Sequence, residues 1–125
     1  MKVFISGSRN FDTIKFNKYK EMFEWLKSNN HEVLVGDCYG IDARVQTYCN
    51  TLGIKHTVYY IGDKPRNISD SAIPHKINGY KQTDKDIEMI KDCDFGIAIW
   101  NGISKGTKNN IENLKRQFKQ VIVRR

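Results

Sequence analysis

Apolar residues along the chain follow two spacings, and these alternate from one end to the other. Short runs of strand type occupy 2–6, 32–35, 56–61, 95–100 and 121–123. Between them, apolar residues recur every three or four positions, the spacing of one buried helix face. Phe16, Tyr19, Met22, Phe23 and Leu26 form the first such stripe, which Ser28-Asn29-Asn30 ends. Asp42, Val45, Tyr48, Cys49 and Leu52 carry a second helix, with Gly53 as its C-cap. A third helix is predicted over 82–92 with Ile87 and Ile90 inward, and a fourth over 108–118 with Ile111, Leu114 and Phe118 inward. Residues 62–78 hold both prolines, Pro65 and Pro74, among polar side chains, and read as a long surface loop or one with a short helical turn.

Strands that alternate with amphipathic helices imply a parallel sheet covered on both faces. The expected fold is α/β, a Rossmann-like three-layer α/β/α sandwich on a five-stranded parallel sheet. Right-handed crossovers leave few arrangements, and the order 3-2-1-4-5 is the expected one. It places the switch point between the first and fourth strands, so the turns after those strands share one crevice.

Those turns are Gly7-Ser8-Arg9 and Gly102-Ile103-Ser104-Lys105-Gly106-Thr107. A glycine lets backbone approach an anion, and the helix that follows offers unpaired N–H groups and the positive end of its dipole. Gly7, Ser8 and Arg9 would hold a phosphate through amides, a hydroxyl and a guanidinium, against the alternative of an arginine paired with a carboxylate. Ser104, Gly106 and Thr107 would form a second anion nest, compatible with a plain helix cap. Asp37 and Asp42, in the turn that starts at Gly36 and passes Gly40, would take ribose hydroxyls; Asp42 also reads as a helix-start residue. Trp100 would stack on a base or rim the core. Cys38 is a small packing residue before it is a nucleophile. Arg66, Asn67, His75 and Lys76 could close the 62–78 loop over a ligand as a lid, with an idle loop as the equal alternative.

Composition narrows the class without choosing the ligand. At 125 residues with 39% hydrophobic and 28% charged side chains, the chain is expected to form a single domain over 1–125. Twenty-one basic and 14 acidic side chains give a formal +7 and a pI near 9.4, which favours anionic partners. Basic density at 15–20, 105–119 and Arg124-Arg125 reads first as solvated surface and only second as a nucleic-acid face. Cys38, Cys49 and Cys93 are odd in number without CxxC spacing, and no apolar leader precedes the first strand, so a reduced, cytoplasmic protein is expected. No apolar run approaches the roughly 20 residues of a membrane span. His31, His56 and His75 lack zinc spacing relative to the cysteines, and neither a metal nor a cofactor is expected.

Four segments in order carry a resemblance: Ile5-Ser6-Gly7-Ser8-Arg9, Gly36-Asp37-Cys38-Tyr39-Gly40-Ile41-Asp42, Lys85-Asp86 with Met89, and Gly102 to Thr107. Over nearly its whole length the chain resembles the SLOG superfamily, which includes lonely-guy phosphoribohydrolases, lysine decarboxylase-like proteins and the Rossmann domain of DNA-processing protein A. The likeness is nearest to small single-domain members, and it implies binding of a nucleotide or nucleotide-derived signal. Hydrolases of that group carry Gly-Gly-x-Gly-Thr-x-x-Glu and an arginine ahead of the methionine. Here Asn110 stands at the glutamate position and Lys85 at the arginine position. An amide cannot supply the negative charge that steadies an oxocarbenium-like transition state.

The expected function is therefore binding of a nucleotide-type ligand at the carboxyl ends of strands one, two and four, as a sensor or binding protein. An N-glycoside hydrolase using another carboxylate is the alternative, with Asp37, Asp42, Asp86 and Glu112 as candidates, of which Asp86 stands first and Glu112 reads as paired with Arg116. A nucleic-acid-binding domain is a further alternative, and the resemblance makes a homo-oligomer an expectation.

Overall fold

The computed structural model describes residues 1–8 and 18–125. Its elements run β1 (Lys2–Gly7), α1 (Lys20–Ser28), β2 (Glu32–Gly36), α2 (Ile41–Leu52), β3 (His56–Tyr60), β4 (Ile73–Lys76), α3 (Gln82–Asp92), β5 (Phe95–Ile99), α4 (Lys105–Arg116) and β6 (Val121–Arg124). The strands form one six-stranded sheet in the order β4-β3-β2-β1-β5-β6, with every pairing parallel. This is the expected Rossmann-like α/β fold with one strand more than the five read from the sequence.

Strand periodicity divides the core. Val3, Ile5, Val33, Val35, Ile97 and Ile99 point to the face covered by α1 and α2, where Phe23, Leu26, Val45 and Cys49 meet them. Phe4, Leu34 and Tyr59 point the other way, against Met89 and Ile90 of α3 and Leu114 of α4. Because both faces are covered, the strands read as continuous apolar runs.

The extra strand lies inside the predicted loop over 62–78. β4 is the sheet edge, all four of its residues are exposed, and it contains Pro74, which an edge strand tolerates because no neighbour needs its missing N–H. Tyr59 and His75 pair across β3 and β4 with their rings stacked 4.3 Å apart. Residues 61–72 form the crossover that parallel pairing requires. Side chains from α2 tie it down: Gln46 accepts from the Ser69 N–H (2.7 Å) and donates to the Asn67 carbonyl (3.2 Å), and Asn50 accepts from the Ser71 N–H (3.1 Å). Buried His56 meets the Ile54 carbonyl at Nδ1 (2.9 Å) and the Ser69 hydroxyl at Nε2 (2.6 Å). A carbonyl only accepts, so Nδ1 carries the hydrogen and Nε2 accepts from Ser69. Burial lowers the His56 pKa, which agrees with a neutral ring.

Two inward assignments are corrected. Ile87 is exposed on α3, where Lys85, Met89 and Ile90 take the buried positions. Phe118 is 98% exposed, because α4 spans Lys105–Arg116 rather than 108–118 and ends before it. The amides of Phe118 and Lys119 bond back to the Lys115 and Leu114 carbonyls (3.0 and 2.9 Å), the double closure of a Schellman cap. That closure puts Phe118 at φ 58°, a left-handed conformation. Phe16, assigned to the first helix stripe, lies outside the described residues.

Candidate functional site

A crevice of about 470 Å³ opens at the carboxyl ends of β1 and β2, beside the loop after β5, among the first turns of α2, α3 and α4. That is the size of a small-molecule site, at the switch point of an open α/β sheet. Its floor depends on glycine. A Cβ at Gly7 would sit 2.2 Å from Ile41 Cγ2, so α2 starts against the end of β1 only because that position is bare. A Cβ at Gly36 would lie 2.6 Å from Asp42 Oδ2, so glycine also leaves room for that carboxylate.

One wall is the start of α4. Asn101 Oδ1 accepts from the amides of Ile103 and Ser104 (both 2.9 Å), which turns the chain into the helix. The Asn101 amide donates to Ser8 Oγ (3.3 Å), and the Ser8 amide donates to the Ile99 carbonyl (3.1 Å), which joins this loop to the end of β1. Ser104 makes no side-chain cap bond. The first-turn amides of α4 have no acceptor within the helix, and they lie where Ser104, Gly106 and Thr107 line the crevice. A Cβ on Gly106 would meet nothing within 4 Å among the described residues.

The opposite wall is acidic. Asp42 Oδ2 accepts from the Cys38 amide (3.2 Å). Burial pushes its pKa up to about 7; Lys85 and the Cys38 amide oppose the rise, while Asp86 and Asp37 add to it. Asp86 lines the same crevice from α3. A carboxyl that titrates near neutrality can hold or release a proton beside a ligand.

Behind this wall lies a buried ion pair. Lys85 Nζ donates to Asp37 Oδ1 (2.7 Å), and both side chains are buried. Arg66 Nε and Nη2 reach the same oxygen (3.2 and 2.9 Å), and the Arg66 amide donates to Oδ2 (2.8 Å). Burial alone would raise the Asp37 pKa, but the bonds from Arg66 and Lys85 outweigh it and hold the carboxyl at about 2. Arg66 Nη2 also donates to Cys38 Sγ and to Gln82 Oε1 (both 2.9 Å).

Gly7, Ser8, Gly36, Asp42, Asp86, Ser104, Gly106, Thr107 and Asn110 therefore share one crevice. Asp37, Gly40, Trp100 and Gly102 do not line it. Asp37 is enclosed by Lys85 and Arg66, and Gly40 is the N-cap of α2 at φ 89°. Trp100 donates from Nε1 to the Ser104 carbonyl (2.9 Å) and lies under the Arg125 guanidinium, which also packs on Gly102. Arg9 lies outside the described residues. Asn110 Nδ2 donates to Ser6 Oγ (2.9 Å), so this amide also ties α4 to β1.

Tyr39, Gln82, Thr83, Met89 and Ile103 also line the crevice, although none of them was expected as a site residue from the sequence. Gln82 and Thr83 begin α3, a position the alternation of elements could have indicated. Cys49 and Cys93 are buried, and burial raises both thiols, Cys49 to about 12, which leaves them inert. Among the described residues, no three metal-ligating side chains cluster, and no helix is long and apolar enough to cross a membrane.

No family model matches this chain, and no curated protein is significantly similar to it in sequence. Solved structures do match its fold. The Moco carrier protein of Chlamydomonas reinhardtii superposes with a TM-score of 0.79 at 16% identity, covering 98% of this chain and 75% of that one. The molybdenum cofactor binding protein of the phototrophic bacterium Rippkaea orientalis superposes equally well, with a TM-score of 0.79 at 14% identity over 98% of this chain and 74% of the other. At such identities the likeness establishes a shared Rossmann-like fold.

Proposed function

We propose that this chain is a single-domain, SLOG-type binding protein that holds a phosphate-bearing, nucleotide-like small molecule in the crevice between α2, α3 and α4. One observation carries the reading: the first turn of α4, which no side chain caps among the described residues, and the Gly7-Ser8 end of β1 face the same space as Asp42 and Asp86. Amides at a helix start suit an anionic group. Carboxylates across from them suit the hydroxyl or amino donors of a sugar or heterocycle. The fold neighbours are a Moco carrier protein and a molybdenum cofactor binding protein, and this supports a small-molecule ligand in the crevice here.

The test is thermal stability in the presence of nucleoside 5′-monophosphates, cyclic nucleotides, ADP-ribose and ribose 5-phosphate. A ligand that prefers the folded state raises Tm by mass action. At least one member should do so, and Gly106→Glu should abolish the shift with little change in the unliganded Tm, because its Cβ enters open space. No shift with any member, or a full shift in Gly106→Glu, contradicts the proposal.

Asp42 supports a second reading, cleavage of an N-glycosidic bond. A carboxyl that keeps its proton up to about pH 7 is suited to protonating a leaving base. Incubation with nucleoside monophosphates would then release free base, and Asp42→Asn would stop the release. No base after long incubation at high protein concentration would leave binding alone.

A further inference from the structure

Two large apolar side chains at the mouth of the crevice stand in solvent: Tyr39 is 70% exposed and Ile103 83% exposed. Tyr39 differs from an ordinary surface aromatic in being held. Its hydroxyl donates to the Arg66 carbonyl (2.9 Å), and Arg66 is itself fixed on buried Asp37 through its amide and its guanidinium. The ring is thus anchored from its far end while it borders the cavity. Trp100, the aromatic that strand position singled out for stacking, is engaged by Ser104 and Arg125 and does not line the crevice.

We propose that Tyr39 is the platform on which the planar heterocycle of the bound ligand stacks, so that the crevice selects ring-bearing phosphates over simple sugar phosphates. This inference rests on the phosphate-ligand reading above. The amides of α4 would receive the phosphate, and the acidic wall would face the middle of the ligand. Tyr39 would supply the face that a flat ring needs at the mouth. Stacking depends on a π-face, which every base has, so the preference should extend across bases. Tyr39 is a positioning residue in this scheme and takes no part in proton transfer.

Calorimetric titration of the wild-type chain, Tyr39→Ala and Tyr39→Phe with the four nucleoside 5′-monophosphates and with ribose 5-phosphate tests the proposal. The wild type should bind each nucleotide about tenfold more tightly than ribose 5-phosphate. Tyr39→Ala should lose about that factor for every nucleotide and leave ribose 5-phosphate unchanged. Tyr39→Phe keeps the ring and should retain most of the preference. Equal losses on nucleotides and sugar phosphate would make Tyr39 a structural residue and overturn the inference. Unchanged nucleotide affinity in Tyr39→Ala, or no wild-type preference for the nucleotides, would overturn it while leaving the phosphate site standing. If the wild type bound none of the five compounds, the phosphate-ligand reading would fall and this inference with it.

Discussion

Lys85 Nζ lies 2.7 Å from Asp37 Oδ1, a contact that joins residues 48 positions apart and buries both partners. It locks the start of α3 to the segment after β2, and through Arg66 it also locks the 61–72 crossover. Three segments thus meet at one carboxylate, and two of them, α3 and the turn after β2, line the crevice. Removing Lys85 would leave Asp37 buried with Arg66 alone. Lys85→Met should cost about 3 kcal/mol in urea unfolding, and adding Asp37→Asn should recover a large part of it. A single-variant loss below about 1 kcal/mol would show that Arg66 alone satisfies the carboxylate.

Stability should depend on pH through Asp42 with a sign opposite to that of most carboxylates. Its folded pKa of about 7 lies above the ordinary value of 3.8, so the folded chain keeps a proton that the unfolded chain has released. The contribution is complete below about pH 4 and is lost as pH rises through about 7. Asp37, held at about 2, contributes above about pH 4 and loses its part only as pH falls towards 2. Asp42→Asn should therefore be more stable than the wild type at pH 8, by about 2 kcal/mol, with a smaller difference at pH 4. Paired denaturation curves at the two pH values check this. Equal differences at both would contradict it.

Phe118 occupies a left-handed cap that favours glycine, and it is almost wholly exposed. Phe118→Gly should relieve the conformation without a loss of core packing, stabilising the chain by about 1 kcal/mol. A lower denaturation midpoint in that variant would show that the ring has a packing role.

Arg66 holds the crossover on Asp37 by three bonds. In Arg66→Ala the backbone bond can survive while both side-chain bonds vanish. Amides of residues 66–71 should then exchange with solvent about tenfold faster than in the wild type, while β1 and β5 keep their protection. Unchanged exchange would assign the anchoring to Gln46 and Asn50 instead.

The sheet was legible because β1, β2, β3 and β5 are apolar on both faces, and because the helices between them carry apolar stripes. The switch point followed, and with it the meeting of Gly7, Ser8, Gly106 and Thr107. β4 was not legible: a four-residue exposed edge containing proline lacks both alternation and β-branched density. It is defined by pairing with β3 and by the Tyr59–His75 stack, which are contacts at a distance. Lys85 was read only as standing where the resemblance has an arginine, and its burial was not legible, because the partner that makes a buried lysine acceptable, Asp37, lies 48 positions away. Asp37 itself had the composition of a ligand-binding residue, whereas its oxygens are occupied by Lys85 and Arg66. Tyr39 gave no signal, since an aromatic in a turn between glycines has no periodicity to mark it.

The most direct test of the crevice as a phosphate site is to follow backbone amide resonances while nucleoside 5′-monophosphates and ribose 5-phosphate are titrated in. The largest shifts should fall on Lys105, Gly106 and Thr107 at the start of α4 and on Gly7 and Ser8 at the end of β1. Shifts centred instead on the basic groove of Lys18, Arg124 and Arg125 beside α1, or none at millimolar ligand, would contradict it.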